Sequence, residues 1–82
     1  MFKEMIVSSY KGVIQEVLVK EQVRIYEWEP LFTVRSDEGD ILTVQAGVSG
    51  DIQSLEVEKG DQVVPGMVLA YVKEELTVSA SD

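Results

Sequence analysis

The chain has 82 residues, 45% of them hydrophobic and 27% charged, which is the composition of one globular domain. Its 15 acidic and 7 basic residues give a formal net charge of −8 at pH 7, which disfavours nucleic acid and anionic membranes as partners. Cysteine and histidine are absent, which excludes disulfides, thiolate chemistry and the commonest general base and metal ligand.

Short apolar segments follow one another along the chain, and no segment keeps a helical period over three turns. The pattern predicts strands at 4–9, 12–19, 31–35, 41–45, 51–57 and 68–72, with short extended pieces near 23–25 and 62–64. Turn-forming pairs such as Pro65-Gly66 separate these segments. Because the chain ends in small polar residues, we expect a single domain at 1–76 and a flexible tail at 77–82.

The chain contains an internal repeat. Residues 12–34 align without a gap on residues 50–72, an offset of 38, and the matches fall mostly on apolar positions and one glycine. In each copy a glycine and three apolar residues are spaced by two, three and two positions: Gly12, Ile14, Val17 and Val19 in the first, and Gly50, Ile52, Leu55 and Val57 in the second. The step of three predicts a bulge that bends the strand. We therefore predict related half-repeats at about 5–34 and 43–72, forming two packed antiparallel sheets over one shared core.

The second copy, "GDIQSLEVEKGDQVVPGMVLAYV", resembles the second half of a biotinyl/lipoyl attachment domain, the family of biotin carboxyl carrier and lipoyl domains. The residues that fill the family pattern in order are Gly50, Ile52, Leu55, Val57, Gly60, Asp61, Val63, Gly66 and Leu69. The first copy fits more loosely, because Gln22 stands where a glycine is expected and Trp28 stands opposite Gly66. The resemblance covers roughly residues 5 to 73. It implies an all-β, flattened β-barrel, or barrel-sandwich hybrid, whose two pseudo-twofold-related halves have about four short strands each.

In this family a central hairpin bears the lysine that accepts biotin or lipoate. The predicted hairpin tip at 36–40 has no lysine, and Gly39 occupies the expected acceptor position. Both cofactors are joined through an amide to a primary amine, which only lysine supplies as a side chain. The resemblance therefore implies a domain without a cofactor, and a biotin or lipoate carrier modified at an unconventional lysine is the alternative. The lysines available are Lys3, Lys11, Lys20, Lys59 and Lys73.

Two features are candidate partner contacts. Asp37, Glu38 and Asp40 form an acidic cluster at the predicted tip, and Trp28 lies between two glutamates. The cluster is expected either to contact a basic partner or a divalent cation, or to be a solvated turn with Gly39 at positive φ. Trp28 is expected either to anchor a partner or to cap one end of the core. The tyrosines are expected to be half-buried strand residues: Tyr10, Tyr26 and Tyr71.

The sequence predicts neither a catalytic site nor a metal site, since it has no histidine, cysteine or glycine-rich phosphate loop. We expect a non-enzymatic docking or regulatory module with a protein partner and no nucleic-acid or membrane partner. A carboxylase, dehydrogenase or ligase system is the candidate setting. A monomer or weak homodimer is expected, because short edge strands can pair. The absence of a long apolar run and of an export signal predicts a cytoplasmic protein.

Overall fold

A computed structural model describes residues 3–74 and contains eight β-strands and no helix within that range. The strands are β1 Lys3–Val7, β2 Gly12–Val17, β3 Arg24–Ile25, β4 Pro30–Ser36, β5 Ile41–Gln45, β6 Gly50–Leu55, β7 Gln62–Val63 and β8 Val68–Glu74. Each predicted strand is present, with ends shifted by a residue or two. The predicted tail at 77–82 lies outside the described residues. Within 3–74, no helix is available that would be long and apolar enough to span a membrane.

The strands form two four-stranded antiparallel sheets, with the orders β1-β8-β6-β3 and β5-β4-β2-β7. Each sheet takes two strands from each half of the chain, so neither half makes a sheet or buries a core alone. The sheets remain separate and pack face to face rather than closing into one barrel. The predicted all-β, flattened barrel-sandwich with two related halves is confirmed.

The offset of 38 relates every strand of the first half to one of the second half, and their bounds coincide residue for residue. The hydrogen bonds outside the strands repeat in the same way. Ser8 N–H donates to Met67 C=O at 2.9 Å, and the equivalent Ala46 N–H donates to Glu29 C=O at 2.8 Å. The predicted bulge is present at the same place in β2 and β6, where the pairing register shifts. The repeat in the sequence is therefore a repeat of backbone path.

The core has the same symmetry, because each buried residue of the first half has a buried counterpart 38 positions further along. The apolar core consists of Ile6, Ile14, Val19, Ile25, Leu31, Phe32, Val34, Val44, Ala46, Ile52, Val57, Val63, Leu69, Ala70 and Val72. Ser8 is also buried, as the counterpart of Ala46, and its Oγ donates to Tyr10 C=O at 2.7 Å. The largest difference in size between counterparts is that between Phe32 and Ala70.

Two turns show where the halves differ. Gly60 and Gly66 have φ of 96° and 89°, in the left-handed region that glycine adopts without a steric cost. Their counterparts Gln22 and Trp28 have φ of 69° and 75°. The looser fit of the first half is therefore a change of side chain on the same backbone path, and the backbone is strained at these two residues.

Replacing Gln22 with glycine is expected to stabilise the protein by about 1 kcal/mol, because an exposed non-glycine residue in the left-handed region costs about that much. For a domain of this size the thermal midpoint should rise by about 4–8 °C. Gln45, exposed in β5, is the matched control, since glycine within a strand is destabilising by about 0.5–1 kcal/mol. A lower midpoint for the Gln22→Gly protein would contradict the strain assigned to this turn.

Candidate functional site

The β4–β5 hairpin ends in a tight turn at residues 37–40 that Ser36 organises. Ser36 N–H donates to Asp40 C=O at 2.8 Å, and Ser36 C=O accepts from Gly39 N–H at 2.9 Å. Ser36 Oγ accepts two further hydrogen bonds, from the backbone N–H of Glu38 at 3.3 Å and from that of Asp40 at 3.1 Å. Gly39 has a φ of 90°, and a Cβ there would meet nothing within 4 Å. The backbone conformation of the turn, and not the space around it, therefore favours glycine.

The three carboxylates of the tip, those of Asp37, Glu38 and Asp40, belong to exposed residues. Asp37 Oδ2 lies 3.6 Å from Lys11 Nζ, and this pair is worth less than about 1 kcal/mol because both groups are in solvent. Within residues 3–74, no three or more acidic side chains are grouped so that they could hold a metal ion. The geometry fits a solvated turn whose charge is open to a partner.

Lys11 brings an amine to the side of the tip, although it belongs to the loop before β2 and not to the hairpin. Other lysines have contacts elsewhere: Lys59 Nζ lies 3.6 Å from Glu16 Oε2, and Lys3 Nζ lies 5.0 Å from the centre of the Tyr71 ring. The small open groove beside the tip, about 110 Å³, is lined by Lys11, Gly12, Val13, Asp37, Gln62, Val63 and Val64. Sequence reasoning missed this placement, because only the pairing of β2 with β4 brings the loop to the tip.

Trp28 lies at the opposite end of β4 from the tip. It precedes Pro30, the first residue of β4, whereas the tip follows Ser36, the last residue of this 7-residue strand. At about 3.3 Å per residue, β4 separates the two places by about 20 Å. The structure therefore groups Asp37, Glu38 and Asp40 at the hairpin tip and places Trp28 apart from them.

Residues 26–29, here called the aromatic turn, connect β3 to β4 and present two aromatic rings to solvent. Trp28 is 68% exposed and Tyr26 is 59% exposed. Trp28 is therefore exposed and does not cap the core, and its role as an anchor for a partner stays a prediction. The expectation that Tyr26 is a half-buried strand residue is wrong, because it lies in a turn. Tyr71 is half-buried in β8, as expected. Tyr10 is half-buried but lies in a loop, so the expectation of a strand is wrong for it as well.

Hydrogen bonds hold the backbone of the aromatic turn. Tyr26 N–H donates to Glu29 Oε1 at 2.9 Å, and Glu29 N–H donates back to Tyr26 C=O at 3.0 Å. Trp28 N–H donates to Ala46 C=O at 2.8 Å, which ties the turn to the loop after β5. The exposed rings therefore stand on a backbone whose position is fixed.

No family model matches the chain, and a search among curated proteins found no match. Among solved structures, the chain is similar to part of the urea carboxylase of Kluyveromyces lactis, with a TM-score of 0.81 and 18% identity. The similarity covers 89% of this chain and 6% of the carboxylase, so the chain spans a small part of that enzyme's length. At this identity the likeness shows the fold alone, a flattened barrel-sandwich of two antiparallel sheets.

Proposed function

We propose that the chain is a non-enzymatic domain of the biotinyl/lipoyl type that lacks a modifiable lysine and serves in protein docking or regulation. The observation that carries the proposal is the hairpin tip. On this fold the tip is the place of the acceptor lysine, and here it is a turn of Ser36–Asp40 with Gly39 at its left-handed position. Without an amine at this place, amide attachment of biotin or lipoate has no acceptor in the hairpin.

The surface chemistry also supports a role in docking. The groove beside Lys11 has about 110 Å³, whereas small-molecule sites have about 300–1,000 Å³. The net charge of −8 favours a basic protein surface as partner. The likeness to part of a urea carboxylase supports a role beside a carboxylase-type enzyme. We propose that the chain acts in the cytoplasm. The same charge opposes self-association, so we propose a monomer or a weak homodimer.

Intact-mass spectrometry tests the absence of a cofactor. Expressed with active biotin and lipoate ligases and both cofactors, the chain is expected to keep the mass of the bare polypeptide, because the tip offers no primary amine. An authentic carrier domain produced in the same cells is the positive control for ligase activity. A mass increase equal to one attached cofactor on the wild-type chain would refute the proposal.

A carrier role through Lys11 is the second candidate, and one contact favours it. The exposed amine of Lys11 lies 3.6 Å from Asp37, beside the place where the family carries its cofactor. If an added mass were found, the Lys11→Arg chain should lose it, since arginine keeps the charge but is not a primary amine. If the Lys11→Arg chain kept the added mass, the attachment would be on another lysine.

A further inference from the structure

The turn at 64–67 is the counterpart of the aromatic turn and shows what the fold requires at this place. Trp28 N–H donates to Ala46 C=O and Gly66 N–H donates to Ser8 C=O, each at 2.8 Å. The two turns therefore have the same backbone path and the same anchoring bond. Glycine satisfies this position in the second half, and the exposed indole in the first half adds little to the core.

Trp28 carries two costs that its counterpart does not. Its φ of 75° lies in the left-handed region, which is unfavourable for a bulky side chain. Its large apolar ring also remains 68% exposed. Residues held in such a backbone conformation cluster at binding and functional sites, where the strain serves a purpose other than stability.

The aromatic turn is also more rigidly held than its counterpart. Glu29 Oε1 and Ser49 Oγ accept hydrogen bonds from two backbone amides of the turn, at 2.9 and 3.1 Å. The equivalent residues of the other half, Met67 and Lys11, have no carboxylate or hydroxyl to do this. Holding an exposed anchor in place before binding lowers the entropic cost of association. Glu29 and Ser49, whose acceptor groups have no equivalent in the other half, thus give the turn the rigidity that favours docking.

The residues around Trp28 indicate the chemistry of the partner. Tryptophan, tyrosine and arginine are the residues most enriched at the centres of protein interfaces, and all three occur here. The Arg24 guanidinium lies 5.5 Å from the centre of the Tyr26 ring and 4.0 Å from Asp51 Oδ1, so a carboxylate already balances its charge. Glutamates flank Trp28 on both sides. An apolar pocket with a basic rim complements this arrangement, whereas phosphate backbones and a second acidic copy are repelled.

We infer that the aromatic turn is the docking site of this domain, with Trp28 inserting into an apolar pocket of a protein partner whose rim carries lysine and arginine. The inference rests on the proposed docking function, and it adds the site and the chemistry of the partner. The hairpin tip, about 20 Å away along β4, is outside this contact.

Trp28 is the only tryptophan of the chain, so 5-fluorotryptophan places a single ¹⁹F reporter at the site. In a lysate of the source organism at low salt, the resonance of the free chain is expected to shift or to broaden beyond detection. It should return at about 1 M salt, where the Debye length is about 3 Å. An unchanged resonance, or a change that salt does not reverse, would overturn the inference. A shift that depends on the concentration of the purified chain alone would indicate self-association and would also overturn it.

Size-exclusion elution of the tagged full chain in the same lysate compares how tightly the variants bind the partner. Trp28→Gly is expected to bind at least about 30-fold more weakly, as for other interface hot spots. Gln22→Gly is the matched control, because it removes the same kind of strain and leaves the aromatic turn intact; it should bind as the wild type does. Trp28→Gly should also have a thermal midpoint at least equal to that of the wild type, which excludes unfolding as the cause of lost binding.

A variant of the tip separates the failure of this inference from the failure of the proposed function. In it, Asp37 and Asp40 become asparagine and Glu38 becomes glutamine, and binding within about threefold of the wild type is expected. If this variant loses the complex and Trp28→Gly keeps it, the contact is at the tip; the inference is overturned and the docking function stands. If the wild-type chain elutes as the free protein, both are overturned.

Discussion

Replacing Gly50 with alanine is expected to destabilise the protein by about 3 kcal/mol or more. A Cβ on Gly50 would lie 2.2 Å from the backbone carbonyl oxygen of Lys73, and backbone cannot move aside as a flexible side chain can. Gly50 pairs with Ile25 on one side and Glu74 on the other, so an added methyl group must separate strands in the middle of a sheet. A domain of this length has a total stability of about 4–12 kcal/mol, so the loss is a large fraction of it.

The repeat and the loops supply the controls for this prediction. Gly12→Ala should have a loss of similar size, since its Cβ would lie 2.2 Å from the carbonyl oxygen of Arg35. Gly47→Ala should stay within about 0.5 kcal/mol of the wild type, because a Cβ there meets nothing within 4 Å. Urea unfolding at equilibrium measures all three. Equal midpoints for the Gly50 and Gly47 variants would contradict the close approach of β6 and β8.

Phe32→Ala is expected to cost about 3–5 kcal/mol of stability. Phe32 is the largest fully buried side chain among residues 3–74, and truncation removes its apolar contacts and leaves a cavity. Its counterpart in the other half is Ala70, so no second aromatic ring at the equivalent position fills the core when Phe32 is truncated. Thermal and urea unfolding measure the loss, which should lower the thermal midpoint by well over 10 °C for a domain this small.

Leu18→Ala is the matched control for the aromatic truncation. Leu18 is a large apolar residue exposed to solvent just after β2, so its truncation should change stability by less than about 1 kcal/mol. A loss of less than about 1 kcal/mol in the Phe32→Ala protein itself would place this ring outside the core and would contradict the packing described above.

The candidate site was only partly predictable. Glycine at turn positions is a local signal, so the sequence shows that Gln22 and Trp28 replace glycines. The exposure of Trp28 depends on what packs around the turn, and for this reason the sequence left the core and the surface as alternatives. Lys11 lies next to Asp37 because the neighbouring residues pair between adjacent strands, Gly12 of β2 with Ser36 of β4. These residues are far apart in the chain, so no local pattern predicts the contact.

The sequence by itself determined the all-β fold, the strand positions and the two related halves, because side-chain alternation, bulge spacing and turn glycines are local features that recur after 38 residues. Only the tertiary structure decided which strands share a sheet. β1 lies beside β8, and each sheet mixes the two halves, since strand pairing is governed by which distant segments bury their apolar faces together. That same packing left the aromatic turn outside the core and brought Lys11 to the hairpin tip, and neither result is encoded in any single stretch of residues.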